Sequence, residues 1–220
     1  MKTKILILLL CCCCSVCVAQ EAIRQDSVQS KKNSFRHWQI GASFSPDALL
    51  IEYLDASLMG RFSFTTGLHA VYKINNYLGV ETGIFFANKK FICDEYELDI
   101  PIYHYTLQYI DVPIRLNYYF GKGKLRGFAT VGAAANFRQC QRINSHYYDE
   151  LNNESFSDVI KSTNFSAFIG VGMECKLSDR FTLRAVPITK FGIKEESIDY
   201  APDVRFWSVG AEIGFFYEIK

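Results

Sequence analysis

Seven titratable side chains fall in the middle of otherwise apolar stretches: Glu81, Asp111, Arg115, Arg126, Glu174, Arg184 and Glu212. Carboxylates and guanidinium groups in such surroundings can pair with one another as a structural plug, or line a polar pore and set its selectivity. Pairing is the expected arrangement, because a charge left alone away from water is strongly penalised. The seven are therefore read as one charge network. His69 and Glu81, with Ser63 as the hydroxyl, could make the nucleophile, base and acid of a hydrolase acting on lipid. No nucleophile motif surrounds Ser63, so a hydrogen-bonded histidine is the simpler reading. Asp94, Glu95, Glu97 and Asp99 in "CDEYELDIPIYHY" could collect a divalent cation. Their spacing lacks the glycine and closing glutamate of a calcium loop, and a solvated acidic loop is expected. No catalytic residue, cofactor or metal ligand is assigned.

The elements that must position these groups alternate apolar and polar residues with period two, the signature of strands. Eight such stretches follow one another: "HWQIGASF", "RFSFTTGLHAVYKI", "YLGVETGIFFA", "YIDVPIRLNYYF", "GFATVGAAANF", "NFSAFIGVGMECK", "FTLRAVPITKF" and "FWSVGAEIGFFYEIK". In the fourth, Ile110, Val112, Ile114, Leu116, Tyr118 and Phe120 share one face, and Asp111, Arg115 and Asn117 the other. Bulky residues gather on the apolar face, glycines and charges on the polar one. Each stretch has about the length that a tilted strand needs to cross a bilayer. Short turns follow the second, fourth and sixth stretches, and long loops follow the others, the longest over 138–163. The expected fold is all-β: an eight-stranded antiparallel up-and-down transmembrane β-barrel, apolar side to lipid and charges within. Aromatic residues near the strand ends, among them Trp38, Tyr72, Tyr77, Tyr118, Tyr119, Phe120, Phe181, Trp207 and Tyr217, suit the membrane–water boundary. Pro113 and Pro187 each remove a ladder donor, and a bulge is expected at each.

The chain begins "MKTKILILLLCCCCSVCVAQ", a basic start, an apolar run and a small residue at Ala19, the layout of a secretory signal over 1–19. A polar segment over 20–35 and a barrel domain over 36–220 complete the division. Cleavage after Ala19 would remove Lys2 and Lys4 and no acid, turning the formal charge from +1 to −1. No basic excess calls for nucleic acid. Of the eight cysteines, Cys93, Cys140 and Cys175 lie beyond the signal. Cys93 and Cys140 fall in expected loops, where an exported chain could oxidise them to a pair, although spacing alone does not establish a disulfide.

The segments "LGVETGIFF", "YIDVPIRLNYYF", "GFATVGAAANF" and "FSAFIGVGMECKLSDRFTL" resemble the small outer-membrane β-barrel proteins of the Bacteroidetes, the porin family related to the PorT-like type. Pro113 matches a proline associated with that family. The resemblance implies a barrel in the outer membrane and no particular activity. The partners expected are outer-membrane lipid, the barrel assembly machinery, and an extracellular ligand or protein held by the long loops. A structural or contact role is the first reading. A narrow diffusion channel, a soluble lipocalin-like carrier and a lipid-modifying enzyme are the alternatives.

Overall fold

The computed structural model describes residues 38–52, 57–94, 103–145, 163–194, 196–198 and 201–219. Ten strands occupy them: β1 Trp38–Glu52, β2 Ser57–Gly60, β3 Phe62–Lys73, β4 Leu78–Asp94, β5 Tyr103–Phe120, β6 Leu125–Ser145, β7 Thr163–Lys176, β8 Phe181–Gly192, β9 Glu196–Ile198 and β10 Ala201–Ile219. Eight long strands pair antiparallel in the order β1-β3-β4-β5-β6-β7-β8-β10, and β10 returns to β1 to close the cylinder. The short β2 extends the wall along β4, and β9 pairs with β10. The signal and the polar segment expected before residue 36 lie outside the described residues, as do Glu95, Glu97 and Asp99.

Closure puts every second side chain on the outer wall. Ile114 and Leu68 are each 68% exposed there, and Phe62, Ile84, Val131, Ile169, Val171 and Ile213 join them in an apolar band. A water-facing wall would not carry so continuous a patch. At the short-turn rim Trp38 leans on Tyr72, their ring centroids 4.9 Å apart, and Phe181 stacks on Phe215 at 5.2 Å. Near the other rim Phe191 meets Trp207 edge-on at 5.0 Å. The turns themselves use local chemistry. The Asn75 side-chain oxygen accepts from the N–H groups of Tyr77 and Leu78 at 2.7 and 2.8 Å, which closes the first turn without a two-residue hairpin. Gly121 and Gly123 take positive φ in the second.

Three details depart from the sequence reading. The expected bulges at the prolines are absent: the register is constant across Pro113 and across Pro187. Pairing lapses instead for two positions on the side that the proline ring faces, toward β4 at Pro113 and toward β7 at Pro187. Pro46, inside β1, does the same toward β10. The one shift between β5 and β6 falls at Gln108/Tyr109. Strands also run past the membrane at the loop end. β6 has 21 residues, β10 19 and β5 18, where a crossing needs about 9–11. Cys93 and Cys140 consequently sit in strands and not in loops. Cys140 is a free thiol. Cys93 is registered with Tyr103 but Cys140 with Gln108, about 17 Å apart along β5, so the disulfide considered from the sequence is not formed.

The outer wall gives a measurable expectation. Leu68→Arg or Ile114→Arg will destabilise the barrel by about 2–4 kcal/mol in urea unfolding from lipid vesicles, the cost of a cation near the bilayer midplane. A cost near zero at both positions would mean that water wets this wall.

Candidate functional site

The inward side chains build the site in layers. Nearest the short turns, register sets Arg126, Glu174 and Arg184 side by side on β6, β7 and β8. Glu174 accepts from Arg126 and, at 3.1 Å, from Arg184 Nε. Lys73 Nζ stands 3.9 Å from Glu174 and 3.5 Å from Glu218. Gln39 donates to Glu218 at 2.9 Å and accepts from Arg184 Nη2 at 2.7 Å.

Arg184 is the hub. Nη1 donates to Glu81 Oε2 at 3.1 Å and Nη2 to the Tyr119 hydroxyl at 2.9 Å, while the guanidinium lies 4.1 Å from the centre of the Phe216 ring. Tyr119, expected at the membrane boundary, thus points inward. β8 and β4 are four places apart in a ring of eight, so the Arg184–Glu81 pair crosses the full diameter. One layer further in, Arg115 on β5 makes two 2.9 Å bonds to the two oxygens of Glu212 on β10, also four places apart. Arg115 lies between the rings of Phe85 and Phe168, 5.1 and 5.0 Å from their centres. Such rings find room because glycines face them: a Cβ on Gly41 would stand 2.5 Å from Phe216, and one on Gly67 the same distance from Phe85. The lumen thus holds Phe85, Phe128, Phe168, Phe216 and Tyr119 beside its charges.

Six of the seven expected charges therefore meet in one network: Glu81, Arg115, Arg126, Glu174, Arg184 and Glu212. Asp111 points inward but lines a separate cavity of about 30 Å³ above it, with Asp47, Asn136, Asn164 and Lys190. That volume holds about two waters. There Asp47 accepts from Ser45, Thr65 and Lys190 at 2.7, 2.6 and 2.9 Å. Above the cavity the lumen turns apolar: Leu49, Phe91, Tyr105, Leu107, Tyr109 and Phe206 pack together, with Phe91 stacked on Tyr105 at 4.8 Å. Sequence reasoning missed Gln39, Asp47, Lys73, Lys190 and Glu218. Their shared parity with the named charges was the available signal.

The hydrolase set needs its own accounting. Ser63 is not part of it; its hydroxyl donates to the Arg61 carbonyl and accepts from the Lys90 N–H. Ser43 takes the place instead. Its Oγ lies 2.6 Å from His69 Nε2, and His69 Nδ1 lies 2.7 Å from Glu81 Oε1. The three have the connectivity of a serine triad. Yet Ser43, His69 and Glu81 are all buried, and the cavity wall does not include Ser43. Asn117 and Arg115 both compete for Glu81. Among the described residues no group of three or more metal-ligating side chains could hold an ion.

Residues 19–186 match the outer membrane protein beta-barrel domain. The chain belongs to that family. The chain is also similar to solved structures of low identity. Neisserial surface protein A is 12% identical, with 83% of this chain and 97% of that one covered and a TM-score of 0.50. OprG from Pseudomonas aeruginosa is 12% identical over 84% and 96%, with a TM-score of 0.49. Ail, the attachment invasion locus protein of Yersinia pestis, is 14% identical over 83% and 99%, with a TM-score of 0.43. No curated protein matches the chain in sequence. An outer-membrane β-barrel is thus the family assignment.

Breaking the hub should be costly. Arg184→Met will destabilise the folded barrel by about 3–5 kcal/mol, because Glu81 and Glu174 lose a buried partner. The double variant Arg115→Met/Glu212→Met will cost less than the sum of its singles in the same unfolding assay. Strict additivity would mean that the two groups are not coupled across the lumen.

Proposed function

We propose that this chain is a non-enzymatic outer-membrane barrel whose work is structural or is done by contact through its long loops. The observation that carries the reading is the pair of diametric braces, Arg184–Glu81 and Arg115–Glu212. Side chains that meet across the middle of the cylinder leave no solute path, and the apolar cluster around Phe91 and Tyr105 caps them. The same filling argues against the narrow channel and leaves the lipocalin-like carrier without a cup, since the cavity has room only for water. The likeness of "YIDVPIRLNYYF" to PorT-like barrels of the Bacteroidetes supports a place among those small proteins, inserted by the barrel assembly machinery after cleavage of a signal over 1–19. The sequence between β6 and β7, 146–162, carries Tyr147, Tyr148, Asn152 and Asn153, residues suited to adaptable contacts with an extracellular ligand or protein. No cofactor is part of this reading.

Purified protein in planar bilayers will give no discrete conductance steps at neutral pH, and neutralising Arg115 or Glu212 will open the lumen and produce them. Steps from the unaltered protein would overturn the filled-lumen reading. One observation favours a second reading, the Ser43–His69–Glu81 alignment, which would suit a lipid hydrolase. A fluorophosphonate probe separates the two: the folded barrel will remain unlabelled, whereas labelling lost in Ser43→Ala would make the enzyme the better account.

A further inference from the structure

Every cation inside the barrel that anchors the network has an acid beside it. The outer wall differs. Arg61, Lys90 and Arg142 are exposed, and among the described residues none of them has an ion-pair partner. They are neighbours. The Arg61 N–H donates to the Lys90 carbonyl at 2.9 Å, Lys90 is registered with Thr106 on β5, and Thr106 with Arg142 on β6. At about 4.8 Å per strand the row from Arg61 to Arg142 spans about 14 Å.

Its height is set by the same register. The outward residues Phe86, Ile110 and Phe137 form one lateral layer, Asn88, Gln108 and Cys140 the next, and Lys90, Thr106 and Arg142 the third. Four residues of a strand tilted by about 40° rise about 10 Å. Measured from Ile114 near the midplane, Thr106 stands eight residues along β5 and about 20 Å higher, beyond the hydrocarbon half-thickness of about 15 Å. The row slopes by about 9 Å, because registered partners lie perpendicular to tilted strands. Thr106 adds a hydroxyl between two cations, and Gln108 adds an amide just below.

We propose that this row is a seat for the phosphate groups of an anionic outer-leaflet glycolipid, with Arg61 and Arg142 able to grip phosphate through two N–H groups each and Lys90 supplying a point charge between them. The inference rests on the outer-membrane reading above. A span of about 14 Å favours a headgroup carrying more than one phosphate over a single free anion. The opposite rim also carries exposed lysines, Lys122 and Lys124, but they stand on a turn with no such lateral row and serve as the control.

The test uses the full chain, folded into zwitterionic nanodiscs, with bisphosphorylated lipid A and its dephosphorylated form as probes and native mass spectrometry as the readout. Bisphosphorylated lipid A will bind at least about 10-fold more tightly than the dephosphorylated form, with an advantage that shrinks as salt rises. The triple variant Arg61→Gln/Lys90→Gln/Arg142→Gln will lose about that factor, while Lys122→Gln/Lys124→Gln will not; the single Lys90→Gln and Arg142→Gln variants carry the comparison if the triple one fails to fold. Equal binding of the two lipids, unchanged binding by the variants, or displacement by millimolar inorganic phosphate would overturn the proposal. Heat-modifiable gel mobility in the same samples reports the barrel separately, so failure to insert would count against the membrane reading and failure to discriminate phosphate against this site alone.

Discussion

The structure depends on electroneutrality inside a closed sheet. Hydrocarbon outside forbids a free edge, so the strands must close. Closure at eight strands leaves a lumen too narrow for bulk water and too polar for a simple apolar core. The chain answers with carboxylates and cations that meet across the diameter. Glu81, Glu174, Glu212 and Glu218 face Lys73, Arg115, Arg126 and Arg184. In that medium each pair is held less by its net worth than by the penalty for losing one member. The braces therefore fix the cross-section more than they add stability.

A consequence is that one constellation of the lumen has both a structural and a chemical aspect. Ser43, His69 and Glu81 connect as a triad would, yet each is also satisfied as a strut: Ser43 bonds His69, His69 bonds Glu81, and Glu81 receives Asn117, Arg115 and Arg184. A hydrolase needs its hydroxyl beside a space for substrate; here Phe85 and Phe216 flank His69 at 4.6 and 5.1 Å. Access decides between the two roles.

The lipid-facing half of the barrel was legible in the sequence because one periodicity governs it. Ile114, Leu116 and Tyr118 alternate with Arg115 and Asn117 for one reason, and closure follows. The partners of the charges were not legible, since Arg184 meets Glu81 only once β8 and β4 stand opposite each other. Strand ends were misjudged for a related reason. Above the membrane the polarity inverts: Tyr105, Leu107 and Phe91 point inward, while Lys90, Thr106 and Gln108 point outward. An apolar-out rule stops at that inversion, although the ladder continues. Tyr119 was assigned by its neighbours Tyr118 and Phe120, when the period of two already separated it from them.

The three prolines leave three unstitched stretches in the wall, between β1 and β10, between β4 and β5, and between β7 and β8. Around the ring of eight they stand at intervals of three, three and two strands. An outward threonine hydroxyl partly repairs one of them: Thr82 on β4 donates to the Pro113 carbonyl on β5 at 2.8 Å. A tube scored along three nearly even lines has no single soft diameter and gives at each seam instead. The give of this cylinder is therefore shared among its proline seams, and the salt bridges that cross the lumen act as the stays that keep the section round.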